Sequence, residues 1–400
     1  MRRVTIIGAL DIYARHELGL LAVLRYYGYN VSAFVLTPFI NDVKVNKLRI
    51  EFDEGITQVS IVEVPLNYGA RPLIKELSSH VVDNSDAVIL TSGIPWKSTF
   101  EIYAHIRRYI NAPVVTRFWS IRAFKLIDNV MHGSYRDIAL FIPSLMINYF
   151  KHIFSDAVIY EDNYLYEIGK YMAPHIPRAK AYPTPGIPKD SINDIDENAY
   201  GIVDDIINQY GGYVLASTIL IKAFDVEKYE AVPHALLLYG IARRNPEIPI
   251  IVFGSTMDEF KRAFPGLTNK IPQNLIFIGK GLSNEFIKYL YQKATAVVVY
   301  ISNRSVSNRF LETIYFGKPV IFNSTALKLY PEISNAIDLK SALANNLNEY
   351  SSKVKTIFES DELRKEISNQ IRKTYELLFS SRKNIKVLNS LIEDVLFERR

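Results

Sequence analysis

The stretch "TAVVVYISNRSVSNRFLETIYFGKPVIFNS", residues 295–324, decides how this chain is read. "VVVYIS" is a short β-branched apolar run and reads as a buried strand. The polar run "SNRSVS" (302–307) follows, and a helix begins near Ser305–Asn308, where serine is a strong N-cap. Phe310, Leu311, Ile314 and Tyr315 recur at helical spacing and face inward. Gly317 stops the helix and Pro319 prevents its return. "PVIF" (319–322) is the next buried strand. Strand, loop, helix and strand in this order build a parallel α/β sheet.

The same alternation runs outward in both directions. On the N-terminal side, "NLIFIGKG" (274–281), "IPIIVFGS" (248–255) and "GYVLAST" (212–218) read as strands. "NEFIKYLYQKA" (284–294) and "EAVPHALLLYGIARRNP" (230–246) read as the helices between them. An earlier copy of the pattern starts with the strand "RRVTIIG" (2–8), the helix "HELGLLAVLRYYGYN" (16–30) and the strand "VSAFVLTP" (31–38). Strands follow at 56–65, 86–93, 112–119 and 155–162, with a helical stretch around 135–154. "AKAYPTPGIP" (179–188), broken by prolines and a glycine, separates the two copies. "KDSINDIDEN" (189–198) reads as a surface linker, and its "DID" as a solvated turn rather than a metal-binding pair. Two helices close the chain.

Composition agrees with two packed lobes. The 400 residues are 48% hydrophobic and 22% charged, which excludes a disordered chain. Net charge is only +5 and pI about 8.9, far from a nucleic-acid-binding tail, so no nucleic-acid partner is expected. Between 97 and 151, eight cations (Lys97, Arg107, Arg108, Arg117, Arg122, Lys125, Arg136, Lys151) face three anions. That segment reads equally as a surface for an anionic partner and as a solvated helical face. There is no cysteine, so disulfides and cysteine-type zinc sites are excluded. Absence of cysteine with much Ile, Tyr and Lys is compatible with a thermophilic source. "MRRVTIIGAL" lacks a signal-peptide core, and the most apolar run, "ALFIPSLMINYF" (139–150), is far short of the ~20 residues a membrane span needs. The expected location is cytoplasmic, with a peripheral membrane contact through 97–151 as the alternative to an internal helix.

The opening unit carries the chemistry. A helix N-terminus at the C-terminal edge of a parallel sheet gathers free N–H groups and the positive end of the dipole, an anion site. Helical Cβ atoms tilt toward the N-terminus, so Glu312 leans over Asn308 and Arg309 toward that edge. A carboxylate there repels phosphate but can accept two hydrogen bonds from a vicinal diol such as a ribose. Phosphate on the amides and ribose on the acid together describe a nucleoside diphosphate. Taken alone, Glu312 reads at least as well as an exposed residue pairing with Arg309 or Lys318.

The segment resembles the GT-B-fold, family-4-like retaining glycosyltransferases, whose mark is Glu, seven residues, Glu, then a helix ending in Gly-Lys/Thr-Pro-Val-Ile. Glu312 and "GKPVI" (317–321) match the second half. "LASTILIKAF" (215–224) resembles the family's phosphate-binding segment, with Lys222 in the register of its lysine. "AKAYPTPGIP" resembles the interdomain segment, and "GALDIYARHELGLLAVLRYYGYNV" (8–31) the first strand, loop and helix. The chain departs from the pattern at Arg304, where the first glutamate falls, at Ser305–Ser307, where glycines fall, at Ser217, where an arginine falls, and at Trp119, where a histidine falls.

The resemblance implies two Rossmann-like lobes facing across a cleft, with C-terminal helices. Residues 1–185 would bind the acceptor, 186–375 the nucleotide sugar, and 376–400 would pack back on the first lobe. It implies a metal-independent, retaining transfer of a sugar from a nucleoside-diphosphate sugar to a glycan, lipid-linked or small-molecule acceptor, with no further cofactor. Lys222 and Glu312 are the implied catalytic residues. Arg304, with Arg309, is read here as supplying the pyrophosphate charge that Ser217 does not. Ser217, Lys222, Gly254, Ser305, Ser307, Asn308, Arg309 and Glu312 would line the donor; Arg15, His16, Arg117 and Trp119 would stand on the acceptor side. The departures also motivate an inactive nucleotide-sugar-binding relative, a scaffold subunit, as the alternative. A sugar-nucleotide epimerase or a phosphorylase on the same architecture is a further rival. A nicotinamide-dependent enzyme would want G-x-G-x-x-G after the first strand, and "GALDIYA" (8–14) does not provide it.

Overall fold

The structure, a computed structural model, describes residues 2–65, 85–94, 96–109, 112–119, 139, 141–220, 231–302 and 307–398. They fall into two compact units. Of the described residues, the first holds those up to 119, 139–189 and 378–398, and the second those from 190 to 377.

The first unit is built on a nine-stranded sheet. Its strands are β1 (Arg3–Gly8), β2 (Asn30–Thr37), β3 (Lys44–Phe52), β4 (Gly55–Pro65), β5 (Ala87–Thr91), β6 (Val114–Phe118), β7 (Ala157–Tyr160), β8 (Arg178–Lys180) and β9 (Ile187–Pro188). Their order is β8-β7-β6-β5-β1-β2-β4-β3-β9. All neighbours from β8 to β4 pair in parallel, and β3 is antiparallel to both β4 and β9. β3 lies in a stretch that the periodicity reading passed over. Four helices follow their strands: α1 (Arg15–Tyr26), α2 (Trp96–Tyr109), α3 (Phe141–Ile153) and α4 (Asn163–Met172). In α1 every residue from His16 to Leu24 is buried, because the helix is covered on more than one side. The segment Thr184–Gly186 crosses it at backbone distance: Gly186 N–H donates to the Arg15 carbonyl at 2.8 Å, and a Cβ on Gly19 would stand 1.7 Å from the Thr184 carbonyl oxygen. Only glycine permits that crossing.

The second unit opens with a helix, α5 (Asp194–Tyr210), where the sequence suggested a solvated turn. Asn193 and Asp196 form a reciprocal capping box, and Asp196 is buried, also accepting from Ser283 N–H at 3.0 Å. The "DID" acids are thus helix-start residues, placed to meet the positive end of the helix.

The five strands β10 (Val214–Ser217), β11 (Ile250–Phe253), β12 (Leu275–Gly279), β13 (Ala296–Val299) and β14 (Val320–Phe322) run parallel in the order β12-β11-β10-β13-β14. Helices α6 (Val232–Arg244), α7 (Met257–Ala263), α8 (Asn284–Lys293) and α9 (Asn308–Tyr315) lie between them in the chain. Helices α10 (Leu347–Glu359) and α11 (Asp361–Thr374) close the unit. The last helix, α12 (Ser381–Glu398), belongs to the first unit, where Ile385, Leu388 and Leu391 enter the core with Leu18, Leu21 and Val35. Among the described residues no helix is long and apolar enough to cross a membrane.

Candidate active site

In the second unit the strand order reverses at β10: the chain first steps outward to β11 and β12, then jumps back to β13 on the other side. Ligands of open parallel sheets bind at the carboxyl edge of such a reversal, because the loops there diverge and leave a crevice. The loops leaving β10 and β13 therefore define the candidate site. The first begins at Ser217, which is buried, and the second leads to α9.

Both loops are tied down where they leave the sheet. Thr218 N–H donates to Phe253 O at 3.0 Å, Ser255 Oγ–H to Thr218 O at 2.7 Å, and Leu220 N–H to Ser255 Oγ at 2.9 Å. Gly254 sits between these contacts at φ +86°, and a Cβ there would lie 2.9 Å from Thr218 O and 3.6 Å from Ser217 Oγ. Ser217 and Gly254 are thus neighbours, and the close approach explains the glycine. On the other side Asn323 clamps the start of the second loop: Ile301 N–H donates to its Oδ1 at 3.0 Å and its Nδ2 donates to Ile301 O at 2.9 Å.

Helix α9 opens with Ser307, whose Oγ accepts from Phe310 N–H at 3.4 Å. Asn308 and Arg309 occupy the first helical positions and are half-buried. Glu312, one turn on, is only 7% exposed, which removes the reading of it as a solvated helix residue. Its Oε2 accepts from Tyr291 Oη–H, reaching from α8, at 3.0 Å. Burial first, and the Glu312 charge second, push the Tyr291 hydroxyl well above its ordinary range, so it stays a donor. Lys318 does not pair with Glu312; it donates to the Gln292 carbonyl at 2.6 Å. Arg309 lies close enough to act electrostatically on Tyr291 and on His234, a buried residue in the first turn of α6. Burial, then the Arg309 charge, hold His234 down to about 3, so its ring is neutral. The result is a cation, an acid and a phenol gathered at the first turns of α9. Lys222, Arg304 and Ser305 lie outside the described residues.

The four acceptor-side residues belong to the first unit, and three of them meet. Arg117, at the end of β6, is buried and held by two acids, Nη1 to Glu17 Oε2 at 2.5 Å and Nη2 to Glu161 Oε1 at 2.7 Å. Its Nη2 also donates to the His16 carbonyl at 3.3 Å. The buried His16 ring lies 5.6 Å from the Trp119 ring, and Trp119 Nε1–H donates to Asp11 Oδ2 at 3.1 Å. Arg15 and Trp119 are half-buried. Of the cations in the basic segment, Lys151 is buried and donates to Ser92 O, and Arg107 is paired with Asp156.

Tyr291, His234, Glu17 and Glu161 were not anticipated. Glu161 and Asp162 had a signal, since "AVIYED" (157–162) places two acids at the end of a wholly apolar strand. For the other three, ordinary helix residues in the sequence, there was none.

No protein-family model and no curated protein matches the chain. Solved structures do match over its full length. A trehalose-6-phosphate structure from E. coli bound with UDP-2-fluoro glucose gives a TM-score of 0.63 at 8% identity, covering 98% of this chain and 99% of the other. A UDP-forming alpha,alpha-trehalose-phosphate synthase from Burkholderia xenovorans in complex with glucose-6-phosphate gives 0.60 at 8% identity over 98% and 100%. The catalytic domain of starch synthase IV from Arabidopsis thaliana bound to ADP and acarbose gives 0.59 at 11% identity over 99% of each chain. At these identities the likeness is one of fold, and the fold is GT-B.

Proposed function

We propose that this GT-B chain is a glycosyltransferase that moves a sugar from a nucleoside-diphosphate sugar to a glycan, lipid-linked or small-molecule acceptor, with retention and without a metal at the reacting centre. The observation that carries the reading is Glu312, buried on α9 one turn from the helix start and oriented by Tyr291. A carboxylate offers about four lone-pair sites and can accept from both hydroxyls of a ribose diol. The amides at Asn308 and Arg309 face the same edge and suit the diphosphate. As the sugar leaves, negative charge grows on the diphosphate; Lys222, Arg304, Arg309 and the amides stabilise it electrostatically, a contribution of about 3 kcal/mol for each donor. Because protein cations supply this charge, the transfer has no need of a metal. Ser217 and Gly254, side by side at the ends of β10 and β11, form the floor of the donor site, and Ser307 stands at its rim; Ser305 is assigned to the same donor set from the sequence. Two fold neighbours hold a UDP sugar or ADP, which favours the same ligand class here. Arg15 and Trp119 serve the acceptor side, and Arg117 and His16 hold that side in shape.

The apolar face of α3 supports a peripheral membrane contact. Ile142, Met146, Tyr149 and Ile153 recur at helical spacing and are between 40% and 59% exposed. An in-plane helix of this kind seats its apolar stripe at the headgroup boundary.

The test is calorimetry with UDP, GDP, ADP and their sugars, followed by product analysis. Glu312→Gln should weaken nucleotide affinity at least about tenfold, since a charge-assisted hydrogen bond is worth ~1.5–3 kcal/mol. Unchanged affinity in that variant removes the site. The replacement of an acid by Arg304 favours a second reading, a binding subunit without turnover; tight nucleotide binding with neither transfer nor hydrolysis would select it.

A further inference from the structure

Three ligand-bearing side chains meet inside the first unit, on elements that take no part in the donor site. His16 and Glu17 stand in the first turn of α1, and Glu161 directly follows β7. One ligand atom from each lies within 4.8 Å of the others, and all three residues are buried. Arg117 grips one oxygen of each carboxylate, at 2.5 Å and 2.7 Å. The far oxygens, Glu17 Oε1 and Glu161 Oε2, are buried and accept no hydrogen bond from the described residues. The Glu161 ion pair itself lacks hydrogen-bond alignment, so neither Glu161 oxygen has a donor among the described residues. Glu17 Oε1 faces His16 Nε2 at 3.9 Å.

One guanidinium cannot neutralise two carboxylates. Asp11 adds its own negative field to both, and Asp162 stands next to Glu161 in the chain. A surplus of buried negative charge is costly unless a cation or a proton fills it.

We propose that His16, Glu17 and Glu161 bind a divalent transition ion of the zinc class, with Arg117 behind the carboxylates as the group that orients them. Two ligands each about 2.0–2.2 Å from one ion stand no more than about 4.3 Å apart, and the His16–Glu17 pair satisfies this as it stands. An imidazole with two carboxylates is a zinc-type set; calcium and magnesium ask for about six or more oxygens. Arg117, hydrogen-bonded to Glu17 Oε2 and ion-paired with Glu161 Oε1, plays the orienting part that outer partners play around metal ligands generally. The ion is enclosed, so it acts as a clasp joining α1 to the end of β7 and leaves the transfer chemistry metal-free.

The experiment uses the full chain, stripped with a chelator and titrated with Zn2+ by calorimetry and with Co2+ by visible absorption. One equivalent should bind, with the d–d bands of a nitrogen- and oxygen-ligated ion. His16→Gln and Glu161→Gln should each weaken binding at least about tenfold. His16→Gln leaves both acids and Arg117 in place, so it carries the test even if Glu161→Gln fails to fold. The proposal is overturned if neither ion binds more tightly than about 1 mM in mildly alkaline solution, or if folded His16→Gln binds as well as the parent chain. Nucleotide affinity is measured on the same samples, so failure of the clasp and failure of the donor site separate.

Discussion

Glu312 depends on Tyr291 as much as on its own helix. A buried carboxylate needs donors, and the Tyr291 hydroxyl supplies one at Oε2. Tyr291→Phe should therefore lower nucleotide affinity by less than the loss of the acid does, about three- to tenfold, because a hydrogen bond to a charged group is worth ~1.5–3 kcal/mol and a diol takes over part of it. Nucleotide titration of the folded variant decides; affinity equal to that of the parent would detach Tyr291 from the site. His234 gives a second test at this scale. Its folded value of about 3 lies below the ordinary 6.5 of the unfolded chain. Between the two the unfolded state binds the proton and the folded state does not. The stability contribution is thus full above pH 6.5 and is lost as pH falls through that window. From pH 7 to pH 5 the fold should lose about 2 kcal/mol through this ring alone. Denaturant midpoints of His234→Leu should fall less steeply over that range, and an equal slope would refute the assignment. The acid on α9 was legible because "GKPVI" fixed the helix end behind it. Its phenol partner, 21 positions earlier, was not, since pairing across helices leaves no local trace.

Elements were legible where one period dominates. The strands "VTIIG", "VLAS" and "AVVV" are almost wholly apolar because both faces of a parallel sheet are covered. β3 was passed over because its inward set, Leu48, Ile50 and Phe52, alternates with charges and becomes fully buried only near its end. That alternation is the signature of a strand with one solvated face, and it was available to be read. Helix α5 was missed for a different reason: its acidic first turn looks like a loop until the Asn193–Asp196 box is recognised as a start signal. Helix α3 holds a stripe with no partner among the described residues, and its consequence is testable. Ile142→Glu with Met146→Glu should cut cosedimentation with anionic vesicles by about tenfold or more, since each side chain's transfer is worth roughly 1.5–3 kcal/mol. The pair is exposed, so thermal stability should hardly change. Equal vesicle binding by parent and double variant would leave the stripe without a membrane role.

At the scale of the molecule the chain leaves the first unit near residue 189 and re-enters it at 378. The two-unit plan was legible because the strand–helix alternation restarts after a Pro/Gly-rich break. The return was expected only through the family resemblance, because no local signal says which core an amphipathic helix joins. Packing answers it for α12: Ile385, Leu388, Leu391 and Ile392 are buried, and the first three share a core with α1 and the central strands of the first sheet. Polar contacts point the same way. Ser381 N–H donates to Asp53 at 2.8 Å, and Asn384 Nδ2 donates to Thr184 Oγ1 at 2.6 Å. At roughly 1.5–3 kcal/mol for each buried aliphatic side chain, these four represent about 6–12 kcal/mol, comparable with the whole stability of a domain at about 5–15 kcal/mol. Deleting 378–400 should therefore unfold the first unit selectively. The second unit keeps all of its own sheet and its closing helices α10 and α11, so residues 190–377 should retain a cooperative transition. Calorimetry on the truncated chain should show one transition lost and one retained, and hydrogen exchange should place the lost protection in β1, β2 and α1. Retained protection there would mean that the first core closes without α12, and that the C-terminal helix is an ornament on the fold rather than part of its interior.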